Sequence, residues 1–243
     1  MDRWFPRIAI PMTWEQFRQL PQHPAFRYEY LDGTATLTAR PRRYHALLPL
    51  TAEATHAHRP TVDIDPLDVA GWEQLPPLFA DAFAATAPLS LLEPQQRLDA
   101  ARDCLQRTRD GEHGLPIESA SFVATTADQP CAAILITLLQ AGDLERFDDP
   151  AWAQPPPPDA LTIGWGRPHV TWVFAAPHAA RRGLATALLS RAAGSLVELG
   201  YNELASTFLL GNEASLLWHW KNGFRLLSYV GSPRRMADDQ HTA

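Results

Sequence analysis

Residues 169–189, HVTWVFAAPHAARRGLATALL, leave this chain few folds to choose from. HVTWVFA alternates β-branched and aromatic residues and reads as a strand. Pro177 then turns the chain, and a run of small residues opens a helix from about Arg182 to Leu199. That helix turns Leu184, Leu188, Ala192 and Leu199 inward, and Gly200 caps it. A helix start leaves backbone N–H groups unpaired and gathers about half a positive charge. Gly183 and Ala185 have little side chain to hold an anion away from those groups, and Arg181 and Arg182 add formal charge. The segment is therefore a phosphate cradle of the helix-N-terminus kind, without the Gly-Lys-Ser/Thr that a nucleotide P-loop requires.

The flanking pattern extends the same layer. NELASTFLL (202–210) reads as a strand, Asn212 starts a helix that Gly223 ends, and FRLLSYV (224–230) reads as a closing strand. Upstream, TVDI (61–64) is a short strand before a helix with Leu75, Leu78, Phe79 and Phe83 on one face. Pro76 and Pro77 are expected in the first turn of that helix or at a break before it. A second helix begins near Pro94, carries Leu98, Ala101 and Leu105 inward, and stops at Gly111. SFVATT (121–126) and CAAILITLL (131–139) predict an antiparallel hairpin. Between Gln140 and Pro168 the pattern lapses, and Pro155 to Pro158 predict a stiff surface excursion. The order of elements is that of a mixed α/β fold.

The first 60 residues carry their own signal. Thr13 and Gln16 form a capping-box pattern for a short helix that Pro21 stops, and FRYEYLDGTATLTA (26–39) predicts a hairpin turning at Asp32-Gly33. Residues 51–60 read as a linker. This segment holds 8 arginines against 5 acids, whereas the whole chain has a net charge of −6. The division expected is thus an N-terminal helix–hairpin extension over 1–60 and a main domain over 61–243, with 140–168 as a Pro-rich insertion.

Charge argues against a dedicated nucleic-acid binder; Arg40, Arg42 and Arg43 read as a solvated basic surface. The longest apolar run, Cys131 to Leu139, is half of the roughly 20 residues a membrane helix needs. No signal peptide is legible, and two cysteines make neither a disulfide framework nor a four-cysteine zinc site. A cytoplasmic protein with no membrane partner and no metal is expected. His56 and His58 read as linker residues.

Two segments carry a more specific likeness. PHAARRGLATALL (177–189) resembles motif A of the GCN5-related N-acetyltransferases, the GNAT family, whose pattern is Arg/Gln-x-x-Gly-x-Gly/Ala after a strand ending in x-Pro. NEASLLWHWKNGF (212–224) resembles motif B of that family through Asn212, Ser215, Lys221, Gly223 and Phe224. The resemblance covers 169–230 closely and 61–168 in element order only. It implies a mixed, mainly antiparallel central sheet with helices on both faces, in which the fourth and fifth strands splay apart. It also implies acetyl-CoA as co-substrate, its diphosphate on the loop Ala180, Arg181, Arg182, Gly183, Leu184, Ala185 and Thr186. The pantetheine arm would pair with backbone groups of Phe174 and Ala175 and pass beside Asn212. The reaction implied is direct attack of a primary amine on the thioester in a ternary complex; the acceptor is a small molecule or peptide, and the donor acetyl or a longer acyl group.

This chain departs from the pattern at two positions. The opening Arg/Gln falls on Ala180, and the tyrosine that commonly protonates the departing thiolate falls on His219. His219 is then the candidate acid, with a buried structural histidine between Trp218 and Trp220 as the alternative. The fourth strand has no carboxylate, which leaves His169, or an acid such as Glu118 through water, as base. These departures keep open a second function, a catalytically inactive coenzyme-A-binding interaction or sensing module. Residues 12–45 weakly resemble the opening of a restriction-endonuclease-like family. Its chemistry needs a Glu-x-Lys pair, and the only lysine, Lys221, follows His219 two residues on.

Overall fold

A computed structural model describes residues 7–20, 26–39, 43–50, 62–86, 89–127, 129–143, 149–209 and 212–227. The linker at 51–60, Arg40, Arg42 and residues 228–230 of the closing strand lie outside them.

The N-terminal part forms a three-stranded sheet of β1 (Arg7–Pro11), β2 (Phe26–Leu31) and β3 (Thr34–Ala39) in the order β1-β3-β2. Between its first two strands lies helix α1 (Trp14–Gln19), whose capping box is present in both directions. Asp32 and Gly33 take φ values of 46° and 74°, the paired left-handed conformation that a two-residue hairpin turn demands.

The main sheet has eight strands, ordered β11-β4-β10-β9-β8-β7-β5, with β6 (Leu115–Pro116) pairing β8 at one end. Its members are β4 (Arg43–Pro49), β5 (Asp63–Pro66), β7 (Phe122–Thr126), β8 (Gln129–Leu139), β9 (Arg167–Ala175), β10 (Glu203–Leu209) and β11 (Arg225–Leu226). The division at residue 60 does not follow this sheet. β4, assigned by local pattern to the extension, runs antiparallel to β10 from Arg43↔Leu209 to Pro49↔Glu203 and separates it from β11. Ala46 and Leu48 of β4 are buried in the common core. Its partners lie about 160 residues along the chain, as in the His45–Thr207 contact, so no local pattern could reveal them. A chain beginning at residue 61 is therefore expected to expose the whole outer edge of β10 and to fail to fold; circular dichroism and solubility, compared with the intact chain, check this.

Helices α2 (Val69–Ala82), α3 (Pro94–Arg109), α4 (Leu184–Glu198) and α5 (Glu213–Lys221) complete the fold. Every residue from Cys131 to Leu138 of β8 is buried, so both faces of the sheet are covered. Packed together, α2 and α3 cover one face, and α4 lies against β7, β8 and β9. Pro76 and Pro77 stand inside α2 rather than at its start, because the helix begins at the Asp68 cap, whose side chain accepts from the Gly71 N–H at 2.7 Å. The two missing donors cost two backbone bonds. Burial of Trp72, Leu75, Leu78, Phe79 and Ala80 along one face offsets them. Of the expected excursion, the described part holds a short helical turn at Pro150–Ala153, exposed prolines at 155, 156 and 158, and a further turn over 158–164 that buries Ala160.

One feature of the sheet positions the site. β9 and β10 are parallel neighbours that pair at Ala205↔His169 and Ser206↔Val170. Beyond that rung they part: β9 continues to Ala175 against β8, and β10 to Leu209 against β4. The parting coincides with a bulge in β9, where Leu135 and Ile136 face Trp172 and Val170 and Thr171 is the extra residue. A bulge bends its strand and increases local twist, which turns β9 away from β10. A mixed, mainly antiparallel sheet with helices on both faces and a splay between these two strands is the GNAT-type layout.

Candidate functional site

The open ends of β9 and β10 lead to the loop before α4. After Ala175 the chain makes a short turn at Pro177–Ala179, which buries Ala179 in the core. Arg181 has φ 62° and Gly183 φ 78°, and α4 starts two residues later than expected, at Leu184, because Gly183 is its left-handed N-cap. No side chain caps this end and no acidic residue lies in the first turn. The first helical bond runs from the Ala187 N–H to the Gly183 carbonyl. The N–H groups of Gly183, Leu184, Ala185 and Thr186 thus lack intrahelical partners.

The leucine side chain points into the core, at 4% exposure, and anchors the turn. Ala180, Arg181, Arg182 and Gly183 are exposed, and Ala185 and Thr186 half-buried. A methyl group built on Gly183 would meet nothing within 4 Å. Glycine is required there by conformation, not by space. The result is a shallow, positively polarised bowl with two arginines at its rim.

Strand alternation decides which backbone groups face the opening. The Ala176 N–H donates to the Cys131 carbonyl at 2.8 Å, so residues 176 and 174 direct both of their polar groups toward β8. Those of Ala175 and Val173 point to the side on which β10 departs. Ala175 therefore has its backbone groups directed to the opening. Phe174 does not: its polar groups face β8, and its ring packs edge-on against Phe79, 5.1 Å between centroids, in the core. Val173 takes its place at the opening, a shift of one residue set by the pleat. Asn212 caps α5, its side-chain oxygen accepting from the Ser215 N–H at 3.1 Å.

His219 occupies a different environment from the one a thiolate acid needs. It is 2% exposed, stacked on Phe208 at 4.1 Å and enclosed by Trp218 and Phe224. Nδ1 lies 2.7 Å from the Ser215 carbonyl, which can only accept, so Nδ1 carries the proton. Nε2 then accepts from the Ser206 hydroxyl at 2.7 Å. Burial pushes its pKa down to about 4. At neutral pH the ring is uncharged, and its one proton is committed to a backbone carbonyl. The geometry is that of a structural histidine, and the assignment of His219 as acid is corrected accordingly.

The rung where β9 and β10 part carries a row of polar side chains that sequence reasoning found only in part. His169 Nε2 lies 3.1 Å from Thr207 Oγ1, bridging the two strands at the vertex itself. From Thr207 the row continues to His45 Nδ1 on β4 at 3.2 Å. In the other direction it runs from His169 Nδ1 to Thr171 Oγ1 at 3.2 Å, and on to Thr137 Oγ1 of β8 at 2.7 Å. Four strands thus contribute to one hydrogen-bonded line. The signal missed was threonine spacing, since Thr137, Thr171 and Thr207 read singly as strand formers. Glu118 sits on an exposed turn and is not part of the row. Among the described residues no group of three or more His, Cys, Asp or Glu side chains is placed to hold a metal, and no helix is long and apolar enough to cross a membrane.

No family model matches the chain, and no curated protein sequence does. Solved structures resemble it in shape. A functionally unknown conserved protein from Staphylococcus epidermidis ATCC 12228 is 9% identical, over 92% of this chain and 69% of that one, with a TM-score of 0.50. A GCN5-related N-acetyltransferase from Ralstonia eutropha JMP134 is 18% identical, over 71% of this chain and 97% of its own, with a TM-score of 0.45. AAC(6')-Iy, solved in complex with the bisubstrate analogue CoA-S-monomethyl-acetylneamine, is 16% identical over the same shares, with a TM-score of 0.43.

Proposed function

We propose that the chain is an N-acetyltransferase that takes acetyl-CoA as co-substrate and passes the acetyl group to a primary amine by direct attack in a ternary complex. One observation carries the reading: the uncapped, basic start of α4 opens onto the gap between two parallel strands. A diphosphate on the N–H groups of Gly183 to Thr186 directs an attached arm into that gap. There the backbone of Val173 and Ala175 offers a strand edge, and Asn212 flanks the entrance. Arg181 and Arg182 supply long-range attraction in place of the side-chain contact missing at Ala180. From Ala175 to Val170 the strand descends about 16 Å, at roughly 3.3 Å per residue, so the reactive end of an extended carrier reaches the vertex. Holding thioester and amine together there supplies about 7–11 kcal/mol of barrier reduction. The acceptor is a small-molecule or peptide amine, and the 140–168 excursion shapes its choice.

A second reading, a coenzyme-A-binding module without catalysis, draws support from His219, which leaves the usual proton-donor position without a donor. Calorimetry with coenzyme A, followed by thiol release from acetyl-CoA over a panel of primary amines, separates the two. Binding with thiol release supports the transferase. Binding without release for any amine supports the module, and no binding overturns both.

A further inference from the structure

The polar row across β4, β10, β9 and β8 has a direction, and the direction can be worked out from one end. Thr137 Oγ1 lies 2.7 Å from the His113 carbonyl, which can only accept, so the Thr137 hydroxyl donates there. Its oxygen must then receive the Thr171 hydroxyl. Thr171 in turn accepts from His169, so the proton of that ring is on Nδ1. His169 Nε2 is left as an acceptor and receives the Thr207 hydroxyl. Thr207 Oγ1 accepts from His45, whose proton is likewise on Nδ1. One carbonyl thereby orders five successive bonds. Their sum is a basic ring nitrogen, His169 Nε2, presented through one hydroxyl at the vertex of the opening.

We propose that Thr207 and His169 form the proton relay of the acyl transfer, with His45 of the N-terminal strand holding Thr207 in register. The proposal rests on the acetyltransferase reading and adds to it the groups that remove the proton. As the amine lone pair attacks the thioester carbon, a C–N bond forms and the C–S bond breaks, its electron pair leaving on sulfur. The amine proton passes to Thr207 Oγ1 while the proton of Thr207 passes to His169 Nε2. The imidazolium keeps its Nδ1 bond to Thr171 and returns the proton by the same route to the thiolate, so that amide and thiol leave with the site restored. Thr207 is the group that touches the substrate; His169 and His45 act through it. This arrangement also gives β4, second from one edge of the sheet, a part in the site, since it brings His45 to the vertex.

Thr207→Val removes the hydroxyl at nearly constant shape, and Thr207→Ser keeps it. With acetyl-CoA and neamine, spermidine or a lysine-containing peptide as acceptor, the valine variant is expected to lose about 10²–10⁴-fold in kcat, with coenzyme A affinity unchanged and the serine variant close to the parent. In nitrogen-15 NMR of the parent protein, His169 and His45 are expected as Nδ1–H tautomers, a readout independent of the acceptor. Unchanged turnover in the valine variant overturns the relay, as does an Nε2–H tautomer at His169. Equal losses in the valine and serine variants overturn it in favour of packing. Absence of coenzyme A binding by the parent protein, by contrast, overturns the transferase reading itself.

Discussion

Replacing Gly183 by glutamate is expected to weaken coenzyme A binding about a thousandfold. The position has φ 78°, and a left-handed conformation costs a residue with a side chain about 1–2 kcal/mol. A side chain there would meet no protein atom, so the larger loss comes from charge rather than crowding. A carboxylate about 4 Å from a phosphate oxygen repels it by about 4 kcal/mol at an effective dielectric constant of about 20. Every 1.4 kcal/mol is tenfold in affinity, and about 4 kcal/mol gives the factor stated. Gly183→Asn, which tolerates the left-handed region and carries no charge, is expected to keep most of the affinity. Calorimetry on the three proteins decides the matter. Equal affinity for the glutamate variant would mean that the diphosphate lies elsewhere.

His219 is expected to dominate the acid sensitivity of the fold. Burial holds its folded-state pKa at about 4, below its ordinary 6.5, so between those values the unfolded chain binds more protons than the native one. Stability is therefore complete above about pH 6.5 and declines as pH falls toward 4, by about 3 kcal/mol in all at 1.36 kcal/mol per pH unit. Replacing His219 by phenylalanine should remove that slope. It should also cost about 1–3 kcal/mol at pH 7 for the buried Ser206 hydroxyl it abandons, whereas the Ser215 carbonyl keeps its backbone bond within α5. Urea unfolding of both proteins at pH 7 and pH 4.5 tests this directly. Parallel pH dependence in the two would show that His219 titrates normally and is not enclosed.

Much of the layer order was legible because its signals are local. The Thr13–Gln16 capping box, the Asp32-Gly33 turn, the Gly200 and Gly223 helix stops and the Asn212 cap are written in neighbouring residues and recur in the fold. So is the cradle, since Pro177, Gly183 and the small residues between determine a turn and an uncapped helix start without help from elsewhere. Local preference gives way where burial overrides it. Pro76 and Pro77 are tolerated mid-helix because one face of α2 is packed into the core. The pleat turned Phe174 away from the opening in favour of Val173, because a one-residue change in a strand reverses the side its groups face.

What the chain's order of residues determined alone is an α/β layer with an anion-binding turn after its fourth expected strand, since helix starts and tight turns depend on neighbours a few positions away. Tertiary structure decided the rest. It drew β4 between β10 and β11, buried His219 until its charge was lost, and aligned His45, Thr207, His169, Thr171 and Thr137 across four strands. Each of these depends on partners far apart in the chain, and a hydrogen bond or a loss of solvent between such partners comes into being only when the sheet closes.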